Sequence, residues 1–168
     1  EIIDDNLTIK GGDNNTFIVG DDYPGLIKNG DKSNPGKTDI TIENIVVNRD
    51  PNSDSDILRQ NAGTICQEYF GSKITGGEIT IINCSSNCHI NEYGGGICGS
   101  EFGKNSSGTF TIQNCYSIGE IYGGGICGYS FGIYSSGTFL IKNCYSTGEI
   151  GDYGGGICDY WFGENSSG

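Results

Sequence analysis

The chain has 168 residues, and with 21 acidic against nine basic side chains its formal net charge at pH 7 is −12. This charge repels phosphate backbones and anionic membrane surfaces, so the composition argues against nucleic acid as a partner. The 30 glycines, with Ile, Thr, Tyr and Phe in short runs, favour strands and tight turns over helices. No apolar stretch approaches the roughly 20 residues that span a bilayer, so we expect no membrane insertion.

Residues 1–37 contain three short segments that are typical of strands. They are Leu7–Ile9, Thr16–Val19 and Tyr23–Ile27. Their spacing differs from that of the repeats that follow. We therefore predict an irregular N-terminal coil that caps a stack of regular ones.

The rest of the chain repeats one unit. Residues 77–107, 108–136 and 137–168 each run through a strand that ends in Asn-Cys, a Gly-Gly-Gly-Ile-Cys segment and a Phe-Gly loop that ends in Ser-Ser. Residues 38–76 form a longer, divergent copy. Self-similarity at this period indicates a unit that buries its apolar face only by stacking on its neighbours, so the chain is predicted to be a single solenoid domain.

The repeat predicts an all-β fold, a right-handed parallel β-helix of about five coils with roughly 30 residues and three short strands per coil. One strand precedes the Asn, one lies in the Gly-Gly-Gly-Ile-Cys segment, and one lies between them at Glu120–Ile121 and its equivalents. The pattern leaves open which side chains face inward. The recurrent Asn is expected to turn the chain and to bond its copies in the neighbouring coils; these residues are Asn44, Asn83, Asn114 and Asn143.

The units differ in length at one place. Residues 108–136 lack the two residues that their neighbours carry as Asn91–Glu92 and Gly151–Asp152. An insertion that recurs at one position of a repeat marks a loop on the outside of the solenoid.

The Tyr23–Ile27 segment, the Asn-Cys-Tyr-Ser-x-Gly units and the Gly-Gly-Gly-Ile-Cys units together resemble the β-helix repeat proteins of giant viruses and microbes. They are also similar to the GLUG-type repeats of bacterial surface proteins. The resemblance extends from about residue 6 to the end of the sequence. It implies a right-handed parallel β-helix of surface or structural character and supplies no catalytic residues.

Seven of the eight cysteines fall in two columns of the repeat. The even number of cysteines suggests that four disulfides form in an oxidising compartment. The candidate pairs are Cys84 with Cys98, Cys115 with Cys127, Cys144 with Cys158, and Cys66 with Cys88. Spacing alone does not choose among the possible pairings, and columns of buried free thiols are the alternative. Zinc is disfavoured because the chain has one histidine and no C-x-x-C pair.

Two further kinds of site are predicted. The oxygen-rich segment formed by Asp50, Asn52, Asp54 and Asp56 is a weak calcium candidate, with a plain acidic surface loop as the alternative. N-glycosylation sequons occur at Asn105 and Asn165, which lie in a loop expected to face outward, and at Asn6 and Asn14. A further sequon at Asn83 coincides with the predicted asparagine ladder. Apart from calcium, no cofactor is expected.

The sequence shows no arrangement typical of an enzyme. His89 is the single histidine, and its column continues as Glu120 and Glu149, which is typical of a solvated strand position. We therefore predict a non-enzymatic structural or adhesive solenoid, extracellular or on a cell or virion surface, that associates head to tail into a fibre. The alternative is a glycan-binding or polysaccharide-active β-helix that uses exposed tyrosines, which could instead pack loops onto the coil.

Overall fold

The computed structural model describes residues 1–12, 16–20, 22–53 and 58–167, and these form an all-β solenoid without helices. Ten strands build two parallel five-stranded sheets, in the orders β1-β3-β5-β7-β9 and β10-β8-β6-β4-β2. The strands are β1 (Leu7–Lys10), β2 (Thr16–Val19), β3 (Ile40–Glu43), β4 (Val46–Arg49), β5 (Glu78–Ile82), β6 (Ser85–Asn87), β7 (Thr109–Gln113), β8 (Tyr116–Ser117), β9 (Thr138–Lys142) and β10 (Tyr145–Ser146). The predicted parallel β-helix architecture is confirmed.

The number of turns is slightly smaller than expected. Each sheet holds five strands, one from each level of the stack, and four turns of the chain separate the first strand from the last. The solenoid therefore makes about four turns, whereas the sequence predicted about five coils. The two counts differ because five strands stacked in one sheet are separated by only four turns of the chain. The predicted handedness stays a prediction.

The first sheet is in register along its whole height. Ile79 pairs with Phe110 and Ile81 pairs with Ile112, and all four side chains are fully buried. Residues two apart on a strand point to the same face, so both members of each pair lie in the core. The structure thereby decides the inward face, which the alternation of the sequence left open.

The division of each coil into strands differs from the prediction. The second strand begins two residues after the Asn, as in β6 and β8, and not at the Gly-Gly-Gly-Ile-Cys segment. That segment makes only isolated parallel bridges, such as Gly95 with Gly124, and the predicted third strand is reduced to bridges such as Ile90 with Ile121. Hence each coil has two strands and several single bridges, because the chain turns too often after the second strand to extend a ladder.

The predicted asparagine ladder is confirmed. Asn44, Asn83, Asn114 and Asn143 have φ values of 57°, 55°, 54° and 53°, in the left-handed region that asparagine tolerates better than most residues. Each Nδ2 donates to the Oδ1 of the preceding coil's asparagine, at 3.3, 3.1 and 3.2 Å. The same residue thus turns the chain between the two sheets and ties successive coils together.

Two further ladders hold the Phe-Gly loops against the core. Phe70, Phe102, Phe131 and Phe162 stack with ring centroids 5.7, 5.3 and 5.4 Å apart. Beside them, the Ser106 Oγ donates to the Gly71 carbonyl at 2.9 Å, and the Ser135 Oγ donates to the Gly103 carbonyl at 2.8 Å. The repeated Phe and Ser of the loop are therefore structural residues.

Candidate functional site

The cysteines form two vertical columns of free thiols. Cys66, Cys98, Cys127 and Cys158 are bridge partners in successive coils, while Cys84, Cys115 and Cys144 follow the ladder asparagines. All eight cysteines, including Cys88, are free. The structure contains none of the four predicted disulfides, and the thiols of one column lie beside their copies in the neighbouring coils. The Cys115 Sγ, for example, donates to the Gln113 carbonyl at 3.2 Å.

Burial favours the neutral thiol at Cys98 and Cys115. Burial, followed by hydrogen bonds with Cys127 and Cys66, raises the pKa of the Cys98 thiol well above its ordinary value. At Cys115 a hydrogen bond with Cys144 lowers the pKa, but the bond with Cys84 together with burial outweighs it and raises the pKa to about 12. These thiols lack the electropositive surroundings that activate a nucleophilic cysteine, so their role is packing.

The calcium candidate lies partly outside the described residues. Asp54 and Asp56 are not described, while the Asp50 Oδ1 accepts hydrogen bonds from the backbone N–H and the Nδ2 of Asn52, at 2.9 and 3.1 Å. These bonds form a local turn that uses one oxygen of the first predicted ligand. Within the described parts of the chain, no three His, Cys, Asp or Glu side chains converge on a possible metal position.

The sequons differ in their surroundings. Asn105, Asn165 and Asn6 are exposed, while Asn14 lies outside the described residues. The loop around Asn105 nevertheless packs inward on both sides, since Phe102 is fully buried and Ser106 is 2% exposed. The loop therefore faces solvent at Asn105 and Ser107 and faces the core at Phe102 and Ser106, whereas the equivalent residues 164–167 of the last coil are all exposed.

His89 lies beside the glutamate of the next coil, as its column position predicts. Its Nδ1 is 3.6 Å from the Glu120 Oε2, and both side chains are partly exposed. The Tyr122 hydroxyl donates to the Glu120 Oε1 at 3.0 Å. The structure thus brings one imidazole, one carboxylate and one phenol together on the surface.

The last coil ends both sheets, and it is the candidate site. Strands β9 and β10 lie at the same edge of the two sheets, so each has a neighbour on one side only. Phe139 and Ile141 continue the fully buried columns of Phe110 and Ile112 but are themselves only partly buried. This coil therefore presents backbone groups and the ends of its two inward apolar columns to a further β-coil.

The first coil presents the complementary face. Strands β1 and β2 lie at the opposite edge of the sheets, and Leu7, Phe17 and Ile18 are 39%, 41% and 58% exposed. Leu7 heads the column that ends at Phe139, and Ile9 heads the column that ends at Ile141. Sequence analysis predicted head-to-tail association but not these residues, because the inward face was undecided.

No protein-family model, curated protein or solved structure matches this chain. The described part of the chain also contains no helix that could cross a membrane. The assignment of a function therefore depends on the geometry of the chain itself.

Proposed function

We propose that the chain is a non-enzymatic structural solenoid whose last coil docks onto the first coil of a second copy, building a head-to-tail assembly. The observation that carries this proposal is the half-exposed pair Phe139 and Ile141, which ends two columns that are otherwise buried. A parallel stack grows by adding one more coil in register, and each added coil pairs backbone groups and buries apolar columns at once.

The residues at the two faces fit this register. If the β9 of one copy is followed by the β1 of the next, Leu7 lies over Phe139 and Ile9 lies over Ile141, which continues each column with an apolar side chain. In the second sheet, Phe17 would lie over Ser146, since both belong to one inward column. A second copy is therefore the occupant that the columns favour.

We further propose that the assembly is extracellular or lies on a cell or virion surface and serves a structural or adhesive role. The exposed Asn105 and Asn165 sequons and the strongly acidic composition support this location. The resemblance to surface β-helix repeats points the same way. None of these features supplies a catalytic group.

A complementation experiment tests the docking. Ile141→Lys places a charge in the last face, and Leu7→Lys places one in the first face. We expect neither variant to self-associate in sedimentation velocity, because each has lost one of the two surfaces. Mixed together, they should form a heterodimer through the intact pair of faces, which in the mixture are the first face of Ile141→Lys and the last face of Leu7→Lys.

The control is Leu140→Lys, which charges the outward face of the same strand and should leave association unchanged. Circular dichroism of each variant checks that the solenoid is folded. A wild-type protein that stays monomeric at every concentration, or a mixture that forms no heterodimer while the parent protein does assemble, contradicts the proposal.

A further inference from the structure

One groove on the side of the solenoid is distinct from the docking faces. It has a volume of about 250 Å³ and is lined by Glu92, Tyr93, Tyr122, Tyr153, Asp159 and Tyr160. These residues come from three successive coils. None of the described residues that line it is basic.

The groove exists because one coil is shorter than its neighbours. Asn61, Tyr93 and Tyr153 hold the same position before the glycine run and have positive φ, whereas Tyr122 of the short coil does not. The Tyr93 carbonyl accepts the N–H of Tyr129 in the next coil at 3.0 Å, as the Asn61 carbonyl accepts that of Ser100 at 2.9 Å. These protruding loops cover the coil that follows.

In the last coil the side chain of Asp159 replaces the loop carbonyl as the acceptor of the equivalent hydrogen bond. The N–H of Tyr160, equivalent to that of Tyr129, donates to the Oδ1 of Asp159 at 2.7 Å. In the two coils before, the position of Asp159 is Gly99 and Gly128, where a Cβ would press against the loop carbonyls at 2.7 and 2.5 Å. Asp159 fits because the loop of the shorter preceding coil, residues 108–136, does not reach this position.

No group among the described residues hydrogen-bonds the second oxygen of Asp159. Asp159 is 5% exposed, and its Oδ2 is buried without a hydrogen bond. A buried carboxylate oxygen without a partner costs free energy, so the site is incomplete without a group that supplies positive charge or a donor. Burial accordingly raises the pKa of this carboxyl above its ordinary value.

The walls around this carboxylate are aromatic and the rim is acidic. Tyr93 and Tyr160 meet edge to face with ring centroids 6.1 Å apart, and Tyr153 is 89% exposed. The hydrogen bond that the Tyr122 hydroxyl donates to Glu120 raises the pKa of this phenol, and the nearby charges of Glu120, Glu149 and Asp152 raise it further. Tyrosine faces attract cations, and the surrounding carboxylates add to that attraction.

We propose that this groove binds an organic ammonium group, which would contact the tyrosine faces and pair with the Oδ2 of Asp159. A bare metal ion is disfavoured because only two carboxylates line the groove and phenyl rings cannot replace its hydration shell. A neutral sugar would stack on the rings but would leave the buried charge uncompensated. The ammonium group can come from a lysine side chain of a partner protein or from a free alkylamine.

The test is a titration of the full chain, followed by the backbone amide NMR signal of Tyr160. The probes are N-acetyl-lysine methylamide, butylammonium, the neutral isostere N-acetyl-norleucine methylamide, and methyl glucoside. We expect the two ammonium probes to bind and the two neutral probes not to bind. Tighter binding of the lysine derivative indicates a partner protein, and tighter binding of butylammonium indicates a small amine.

Two variants locate the site. Asp159→Asn keeps an oxygen for the Tyr160 N–H and should weaken ammonium binding by about tenfold or more, while thermal unfolding shows that the variant is folded. Tyr153→Ala removes an exposed wall without disturbing the core and should also weaken binding. The matched controls, Glu78→Gln and Tyr145→Ala, remove an exposed carboxylate and an exposed ring elsewhere and should bind normally.

Equal binding of the norleucine analogue or of methyl glucoside, unchanged affinity in Asp159→Asn, or no binding of either ammonium probe would overturn the inference. Repeating the titration in the Ile141→Lys background separates it from the docking proposal. That variant lacks the docking face but keeps every residue of the groove. Ammonium binding by this variant therefore tests the groove independently of self-association.

Discussion

Gly125 lies directly against the backbone of Gly156 in the next coil, so close that a Cβ on Gly125 would overlap the Gly156 carbonyl oxygen. Gly156 holds the equivalent position in the last coil, where a Cβ would meet only side-chain atoms at 3.5 Å or more. Glycine is therefore required at this repeat position in one coil, whereas the last coil can accommodate a Cβ there. The difference is the presence of a coil beyond it.

Gly125→Ala should consequently destabilise the protein by several times more than Gly156→Ala. In the first variant backbone must move, whereas in the second the methyl group enters ordinary van der Waals contact. Urea unfolding of the two variants measures the difference. Equal losses would contradict the in-register contact between these coils.

Two substitutions of one ladder asparagine separate the contribution of its side-chain hydrogen bonds from that of its left-handed backbone. Asn114→Gly keeps the left-handed turn but removes two side-chain hydrogen bonds, while Asn114→Ala also adds strain of about 1–2 kcal/mol. We therefore expect the alanine variant to be less stable than the glycine variant, and both to be less stable than wild type. Chemical denaturation gives the order, and an alanine variant as stable as the glycine variant would show that the turn is not strained.

The phenylalanine column offers a matched pair within one repeat position. Phe102 is fully buried between Phe70 and Phe131, while Phe162 is 52% exposed in the last coil. Phe102→Ala should cost about 3–5 kcal/mol, the usual range for a buried phenylalanine, and Phe162→Ala clearly less. Comparable losses in thermal unfolding would mean that the last coil is covered in solution.

The thiol columns predict a definite labelling pattern. Denatured protein should take up eight alkyl groups without prior reduction, because all eight cysteines are free. In the native protein, Cys144 and Cys158 are only half-buried and should be modified before the six buried thiols. Intact mass against time measures both, and a mass that rises by eight hydrogens on reduction would instead demonstrate disulfides. A glycosidase step on the same sample reports whether the sequons carry glycans.

Asp159 makes stability depend on pH in a predictable direction. Its folded-state pKa is raised by burial, so the folded protein holds the proton more tightly than the unfolded chain does. That contribution to stability is present at low pH and is lost as pH rises through the raised pKa. The stability of Asp159→Asn relative to wild type should thus increase with pH over this interval. Unfolding at a series of pH values checks it, and a constant difference would place the carboxylate in water.

The repeat predicted the stacking but not the path of each coil. Recurrence of Asn at one position requires a shared register, and the ladder from Asn44 to Asn143 confirms it. The strand after the Asn escaped prediction because Ser85–Asn87 carries no β-branched or aromatic side chain and the equivalent strands Tyr116–Ser117 and Tyr145–Ser146 are only two residues long. Its extended conformation comes from pairing with the strand of the coil before it, which is a contact distant in sequence.

The sequence by itself determined that this protein is a parallel stack of similar coils, because only in-register stacking gives every copy of a repeated residue the same surroundings. Tertiary structure alone decided what the repeated residues do. Cysteines that were predicted to pair across a coil lie beside their own copies in the next coil, and a two-residue difference in loop length makes room for the carboxylate of Asp159. Both results follow from which coil lies above and below a residue, and that neighbour is about thirty positions away along the chain.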